Sequence, residues 1–200
     1  MISLPWVSLF GVINKICNGI VLRANIKSYP VGIKINGRVY IKNKGVVRIG
    51  NNCVINSGKR YNIIGGDTRC NFIVEKNSEL IIGSNVGISN STFVCKNQIT
   101  IEDNVLIGGG CKIYDWDFHS TSYAERMFFF NNGKSDESAK KSPVLIKKGA
   151  WIGGHCIILK GVTIGKNSII GAGGVVSCDV PSNEIWIGNP ARFVKKLLEG

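Results

Sequence analysis

The sequence is poor in histidine, in proline and, over its first third, in acidic residues. The first two shortages each exclude a class of protein, and the third indicates the kind of partner. Its 200 residues include two histidines, too few for a zinc site that needs three histidine ligands. Five prolines without a Gly-X-Y period exclude collagen. No acidic residue precedes Asp67, whereas ten basic residues lie within residues 1–60. Such a surface favours an anionic partner: a phosphate group, an anionic membrane or nucleic acid.

Cysteine is present seven times, but no two cysteines form a Cys-x-x-Cys motif and the number is odd. This usage predicts reduced, mostly buried thiols in a cytosolic protein, and no metal site.

The chain also lacks a long uninterrupted apolar run. Residues 4–22 are mostly apolar, but Asn14, Lys15 and Asn18 interrupt the stretch, and no small-residue cleavage site follows it. The stretch is too broken for a membrane-spanning helix and lacks the layout of a signal peptide. We expect a helical segment over residues 1–28 that packs on the domain or rests at a membrane surface.

Glycine is abundant, with 25 residues, and it accompanies a repeat of six residues. An aliphatic residue recurs at this period, and small or β-branched residues follow four positions later. The aliphatic positions are Ile146, Ile152, Ile158, Ile164, Ile170 and Val176, and before them Ile82, Ile88 and Val94, then, after a slip of one residue, Ile101, Ile107 and Ile113. A six-residue period fits neither a helix nor a hairpin. It predicts an all-β fold, a parallel β-helix with one strand and one turn per repeat and 18 residues per coil.

The position of the repeat predicts the organisation of the chain. After the helical segment 1–28, we expect a β-helix domain over 29–181. A loop over 115–143 interrupts its period, and a loop of this length is uncommon unless it is functional or disordered. Residues 182–200 are predicted to form a strand and a short basic helix over 191–198.

Two runs carry a resemblance to a known family. Residues 164–177 (IGKNSIIGAGGVVS) and 187–192 (IGNPAR) resemble the hexapeptide-repeat acyltransferases. The resemblance implies a left-handed β-helix, a homotrimer with active sites between subunits, and acetyl-CoA as acyl donor. The loop is more similar to the capsule, colanic-acid and O-antigen O-acetyltransferases than to the galactoside type.

His119 in the loop is the candidate general base, because acyl transfer to an alcohol needs a base that works near neutral pH. The family's catalytic histidine lies in the corresponding loop. Asp115 and Asp117 flank it and can orient the imidazole, bind the acceptor's hydroxyls or merely cap turns. The resemblance makes the backbone N–H of Gly154 a candidate oxyanion donor. His155 is a weaker second candidate base.

For coenzyme A, the resemblance points to Trp151 beside the pantetheine arm, to Ala172 and Ser177 for its amides, and to Arg192 and Lys195 for the phosphates. The sequence departs from the pattern of this family at two places. Cys178 replaces a lysine that relatives often carry, and Cys95–Lys96 replaces an acidic pair that the galactoside type places one coil before the loop.

The sequence therefore predicts a cytoplasmic, acetyl-CoA-dependent O-acetyltransferase that acts on a sugar hydroxyl in bacterial surface-polysaccharide biosynthesis. N-acetylation of a nucleotide-linked amino sugar and a non-catalytic β-solenoid scaffold remain alternatives. A γ-class carbonic anhydrase is excluded by the two histidines, and no nucleic-acid-binding module is recognisable.

The basic first third suggests a further contact. Together with the broken apolar stretch, it indicates docking at the inner face of the cytoplasmic membrane. A solvated basic face is the alternative.

Overall fold

Short parallel strands stack into three sheets, one on each side of a three-sided solenoid, in the computed structural model, which describes residues 6–198. Sheet A contains β1 (Lys34–Gly37), β4 (Val54–Ser57), β7 (Gly87–Ser89), β10 (Leu106–Ile107), β13 (Trp151–Ile152), β16 (Ile169–Ile170), β18 (Glu184–Ile187) and β19 (Arg192–Lys196). Sheet B contains β2 (Tyr40–Asn43), β5 (Asn71–Val74), β8 (Thr92–Cys95), β11 (Lys112–Tyr114), β14 (Ile157–Ile158) and β17 (Val175–Val176). Sheet C contains β3 (Val46–Ile49), β6 (Glu79–Ile82), β9 (Gln98–Ile101), β12 (Val144–Ile146) and β15 (Thr163–Ile164).

The register between coils confirms the predicted parallel β-helix. Ile146 pairs with Ile164, and Ile152 pairs with Ile170, so that equivalent residues lie 18 positions apart. The aliphatic position of each repeat points inward, and all four of these isoleucines are fully buried. The small residue four positions later, such as Ala150, is also buried at a corner, where a larger side chain would not fit.

The predicted slip of one residue between Val94 and Ile101 is the net result of two departures from the six-residue step. Phe93, not Val94, takes the inward position of the repeat in β8, where Cys95 is also buried, and it pairs with Ile113 of the next coil. The step from Ile88 to Phe93 is therefore five residues, and the step from Phe93 to Ile101 is eight. Asn90, with a left-handed φ of +40°, comes two residues after Ile88, whereas the left-handed residue of a regular corner, such as His155 after Ile152, comes three residues after the aliphatic.

Two excursions leave the solenoid at corners. The predicted one runs from the end of β11 to the start of β12 and contains helix α2 (Tyr123–Asn131). Ser122 caps this helix by accepting a hydrogen bond from the Glu125 N–H. A second excursion, residues 58–70 between β4 and β5, was not predicted. The buried side chain of Asn90 anchors it, accepting from the Gly58 N–H at 2.7 Å and donating to the Asn62 carbonyl at 2.8 Å.

Helix α1 (Trp6–Asn25) closes the N-terminal end of the solenoid. Residues 1–5 of the predicted helical segment lie outside the described residues. Leu22 is buried in the core, and the Asn18 side chain donates to the Gly37 carbonyl and accepts from the Val39 N–H. In the part of the chain that the structure describes, no helix has the length and apolarity needed to cross a bilayer.

The predicted C-terminal helix over 191–198 is wrong. Arg192–Lys196 forms strand β19, which pairs antiparallel with β18. Gly188, with a φ of +95°, lies in the connection that reverses the chain. Strand β18 would otherwise present unpaired backbone groups at the edge of sheet A, and the β-branched and aromatic residues Phe193 and Val194 suit a strand that covers this edge.

The cysteines bear out the prediction of free, mostly buried thiols: Cys178 is exposed, Cys17 is partly exposed, and the other five are buried. Burial raises the pKa of Cys70 to about 11. Burial also raises the pKa of Cys95, helped by the nearby charge of Asp115, to about 12. Since the thiolate is the reactive form, these buried thiols are inert in the folded protein.

We therefore expect a maleimide to modify Cys178 fastest and Cys17 more slowly in the native protein, and to reach the other five only after unfolding. Mass spectrometry over a time course measures this, with Cys178→Ser as the variant that loses the fast step. Rapid native labelling of more than two thiols would contradict the buried arrangement.

Candidate functional site

His119 lies in the exposed part of the loop that leaves the corner between sheets B and C. Its side chain is exposed, whereas the neighbouring Ser120 is buried. The His119 N–H donates to the Asp117 carbonyl at 2.7 Å, and the guanidinium of Arg126 donates to the Ser120 carbonyl at 2.7 Å. The backbone on both sides of the imidazole is thus fixed while the ring itself faces solvent.

Asp136, a residue that the sequence did not point to, supports this segment from beneath. Its carboxylate is buried and accepts from the Ser120 N–H at 2.7 Å and from the Ser138 hydroxyl at 2.6 Å. Burial disfavours its charged form, but these hydrogen bonds and the nearby imidazole of His119 outweigh burial and lower the pKa of Asp136. Asp136 is thus a charged carboxylate beneath the segment that carries His119.

Asp117 faces a basic side chain of the next coil. Its carboxylate pairs with the Lys160 ammonium at 2.7 Å, and its backbone N–H donates to the Lys140 carbonyl. Both charged groups are about one-third exposed, so the pair remains open to an acceptor molecule. Asp117 reaches His119 through its backbone carbonyl only.

Asp115 has a different place from the one expected of an orienting carboxylate. It is fully buried, and its two carboxylate oxygens accept from the backbone N–H groups of Lys96 and Asn97, each at 2.8 Å. These bonds cap the turn of the preceding coil. No hydrogen bond of the described residues joins Asp115 to His119, so its geometry is that of a structural residue.

Lys96, which replaces the acidic pair of the galactoside type, packs against the base of the loop. Its ammonium lies 4.0 Å from the centroid of the Trp116 ring and pairs with Glu137 at 2.9 Å. Through these two contacts, Lys96 stabilises the base of the loop.

Gly154 and His155 lie on a different corner, between sheets A and B. Within residues 6–198 the N–H of Gly154 has no hydrogen-bond acceptor, which suits the predicted oxyanion donor. The imidazole of His155 bonds through Nε2 to the Ile64 carbonyl at 2.7 Å, and so holds the 58–70 excursion beside Gly154. His155 is therefore placed as a positioning residue of this excursion.

The structure brings together only part of the residues predicted to bind coenzyme A: Ala172 lies against Gly153, close to Gly154 and Trp151, on the neighbouring coil. Trp151 is 52% exposed on the outer face of sheet A, where it forms one wall of a groove of about 410 Å³. Ala172 lies at the A–B corner, Ser177 at the B–C corner, and Arg192 and Lys195 on β19.

A full strand of sheet B separates the two halves of the predicted site. The chain passes from Gly154 at one corner to Lys160 at the other, a path of six residues. At about 3.3 Å per residue this path is at most roughly 20 Å long. The strand between them keeps the loop imidazole and the free N–H at different corners of one chain. Among the described residues, no group of three or more His, Cys, Asp or Glu side chains could hold a metal ion.

The coils and corner loops define a hexapeptide-repeat β-helix protein. Residues 143–178 match the family model described as "Bacterial transferase hexapeptide (six repeats)". A Saccharomyces cerevisiae protein named "Putative acetyltransferase YJL218W" is 35% identical over 141 residues, which cover 67% of each chain. This chain belongs to the hexapeptide-repeat acyltransferase family.

Other relatives match over shorter stretches. Two Staphylococcus aureus proteins, named "Putative acetyltransferase SAV2555" and "Putative acetyltransferase SA2342", are 38% identical, but the match spans only 40% of this chain and 38% of their length. The galactoside O-acetyltransferase of Escherichia coli is 34% identical over 58% of this chain and 56% of its own. AntD, an N-acyltransferase from Bacillus cereus solved with dTDP-4-amino-4,6-dideoxyglucose and coenzyme A, superposes with a TM-score of 0.68 at 23% identity, over 90% of this chain and 89% of that chain. The three parallel sheets and this likeness fit a left-handed β-helix.

The role of Asp136 predicts a pH-dependent loss of stability. Because its folded-state pKa is lowered, the charged carboxylate stabilises the fold above about pH 4, and this contribution disappears as the pH falls through the lowered value. Asp136→Asn should lower the melting temperature at neutral pH, and the difference from wild type should shrink near pH 3. Circular dichroism measures both, with Asp67→Asn, an exposed carboxylate, as control. A difference that does not depend on pH would contradict the charged form.

Proposed function

We propose that this protein is an acetyl-CoA-dependent O-acetyltransferase with a sugar hydroxyl as acceptor and His119 as general base. The observation that carries the proposal is an exposed imidazole on a braced corner loop, underlain by the buried, charged Asp136. The 34% identity to a galactoside O-acetyltransferase supports the same chemistry.

The proposed reaction uses the groups on both corners. His119 takes the proton of the acceptor hydroxyl as its oxygen attacks the thioester carbonyl. The tetrahedral oxyanion accepts a hydrogen bond from the N–H of Gly154. When the intermediate collapses, the carbon–sulfur bond breaks, coenzyme A leaves as its thiol with the proton returned by His119, and the acetyl ester remains on the sugar.

The donor would lie along the coil edges towards the C-terminal end. Trp151 presents an exposed ring to the pantetheine arm, Ala172 and Ser177 offer backbone and hydroxyl groups to its amides, and Arg192 and Lys195 are exposed cations for the phosphates. The free and mostly buried cysteines support a cytoplasmic location as part of this proposal.

The separation of the corners supports a homotrimer in which each site uses two subunits. His119 would come from one subunit, and Gly154 and Trp151 from its neighbour. Helix α2 supports the same arrangement, because it buries none of its own residues and exposes aromatic side chains such as Tyr123 and Phe130 for a partner to cover.

The acceptor is proposed to be a sugar of a surface polysaccharide. This chain has Cys95–Lys96 where the galactoside type is expected to carry an acidic pair, and the Lys96 ammonium is already paired with Glu137, so an acceptor other than a free galactoside is favoured. An amine on a nucleotide-linked sugar can use the same base, and it remains the second candidate.

Release of coenzyme A thiol from acetyl-CoA, measured with sugars, nucleotide sugars and lipid-linked sugars, tests the function. Thiol release with a hydroxyl acceptor supports O-acetylation, and release only with amino sugars would move the assignment to N-acetylation. No release with any acceptor would favour a scaffold.

In that assay, His119→Ala should lower kcat by about 10²- to 10⁴-fold with coenzyme A affinity nearly unchanged, because the proton acceptor is lost and the donor contacts are not. His155→Ala is the matched control and should cost much less. Activity within about tenfold of wild type would remove His119 from the mechanism, and an equal loss in His155→Ala would transfer the role to His155.

The proposed homotrimer predicts a particle of three times the 21.7 kDa chain mass, which light scattering measures.

A site shared between two subunits also predicts complementation between two defective variants. His119→Ala and Trp151→Ala homotrimers should each be weakly active, whereas random mixed trimers, formed by joint refolding, should recover about a quarter of the wild-type sites. An active monomer, or mixed trimers no better than their parents, would refute the shared site.

A further inference from the structure

Helix α1 has an apolar row on the face opposite the one that closes the solenoid. Val12, Ile16 and Ile20 follow one another at a spacing of four residues and are 53%, 58% and 64% exposed. At about 100° per residue, Ile16 and Ile20 lie on the side of the helix opposite the buried Asn18. We call Val12, Ile16 and Ile20 the outer row.

The outer row is unusual for the end of a solenoid. A terminal cap normally presents a polar outer face, because that face meets water. Here the cap is apolar on both faces, one packed on the core and one uncovered in the single chain. A helix that is apolar on both faces needs a second apolar environment.

Basic side chains lie on α1 and on the chain that directly follows it. Lys15, Arg23, Lys27 and Lys34 are all exposed, and none belongs to an ion pair of the described chain. No acidic residue precedes Asp67, so nothing in this part of the sequence offsets their charge. The partner of the outer row must therefore be apolar in its interior and anionic at its surface.

A groove beside the helix adds a place for a phosphate group. It has a volume of about 560 Å³ and lies between α1 and strand β1. Lys15 and Lys34 line it from opposite sides, and Tyr29 and Asn36 contribute further polar groups. Asn18 and Leu22, from the solenoid-facing side of α1, also line the groove, so it lies on the flank of the helix beside the outer row. Two ammonium groups and hydrogen-bond donors at this flank suit a lipid phosphate.

We propose that the outer row and the basic residues on and after α1 dock this protein on the surface of an anionic phospholipid bilayer. The helix lies in the plane of the interface, with the apolar side chains among the acyl chains and the cations among the headgroups. This docking is independent of acyl transfer, and its test needs no substrate.

Flotation of the full chain with vesicles tests the proposal. We expect binding to phosphatidylcholine vesicles that contain phosphatidylglycerol, little binding to phosphatidylcholine alone, and release at high salt. Arg23→Glu/Lys27→Glu should weaken binding by about 20-fold or more. Ile16→Ser/Ile20→Ser should weaken it at every salt concentration, because the apolar contribution is not screened.

Matched controls make the outcome specific. Lys148→Glu/Lys166→Glu changes the net charge equally on distant coils, and Ile63→Ser removes an isoleucine that is 81% exposed on the 58–70 excursion. Both should bind as wild type does, and circular dichroism checks that every variant is folded. Absent binding to anionic vesicles, equal binding to neutral ones, or equal losses in the controls would overturn the proposal. So would an assembly larger than the trimer that Ile16→Ser/Ile20→Ser dissolves, because a second copy would then cover the outer row.

Discussion

The structure depends on one constraint: each coil must bring its inward aliphatic side chains back onto those of the coil before. The pairing of Ile146 with Ile164 and of Ile152 with Ile170 shows the spacing of 18 residues that this stacking imposes. An insertion within a strand would move every following side chain to the wrong face. Both excursions, 58–70 and 115–143, therefore begin and end at corners, where added chain leaves the core unchanged. The corners are thus the places where this fold can carry chemistry.

Each excursion is held by a buried polar side chain that satisfies backbone groups of the corner. Asn90 does this for residues 58–70, Asp115 caps the turn below the long loop, and Asp136 supports the segment that carries His119. An unpaired buried backbone group costs about 1–3 kcal/mol, so such side chains decide whether a corner loop has one conformation. This explains why the carboxylates near His119 have separate tasks: two are bound by backbone N–H groups, and Asp117 alone is paired at the surface.

The sequence predicted what the six-residue period controls, namely the parallel coils, the inward aliphatic positions and the long loop. The prediction from the sequence failed where the structure is decided by a contact with a residue that is distant in the sequence. The shortened step depends on the position of Asn90 at its corner, the 58–70 excursion depends on the side chain of Asn90, and β19 forms because the edge of β18 accepts it. His119 could be selected as the only histidine of the loop. Asp136 could not, because it lies 17 residues further along the chain and folding alone brings its carboxylate beneath the loop.

The three-sided geometry also constrains the acceptor. The solenoid closed by α1 at one end carries His119 beside β11, which lies three strand spacings, or about 14 Å, from β2. The helix adds roughly 10 Å. Cyclic symmetry in the proposed trimer would place three caps at one height along the three-fold axis, so that weak docking by each would add. A bilayer at that end would lie about 25 Å from the imidazole. A lipid-linked acceptor would have to span this distance from the bilayer to the imidazole. A sugar attached directly to the lipid phosphate would not reach His119, so the acetylated sugar would be one further along the glycan.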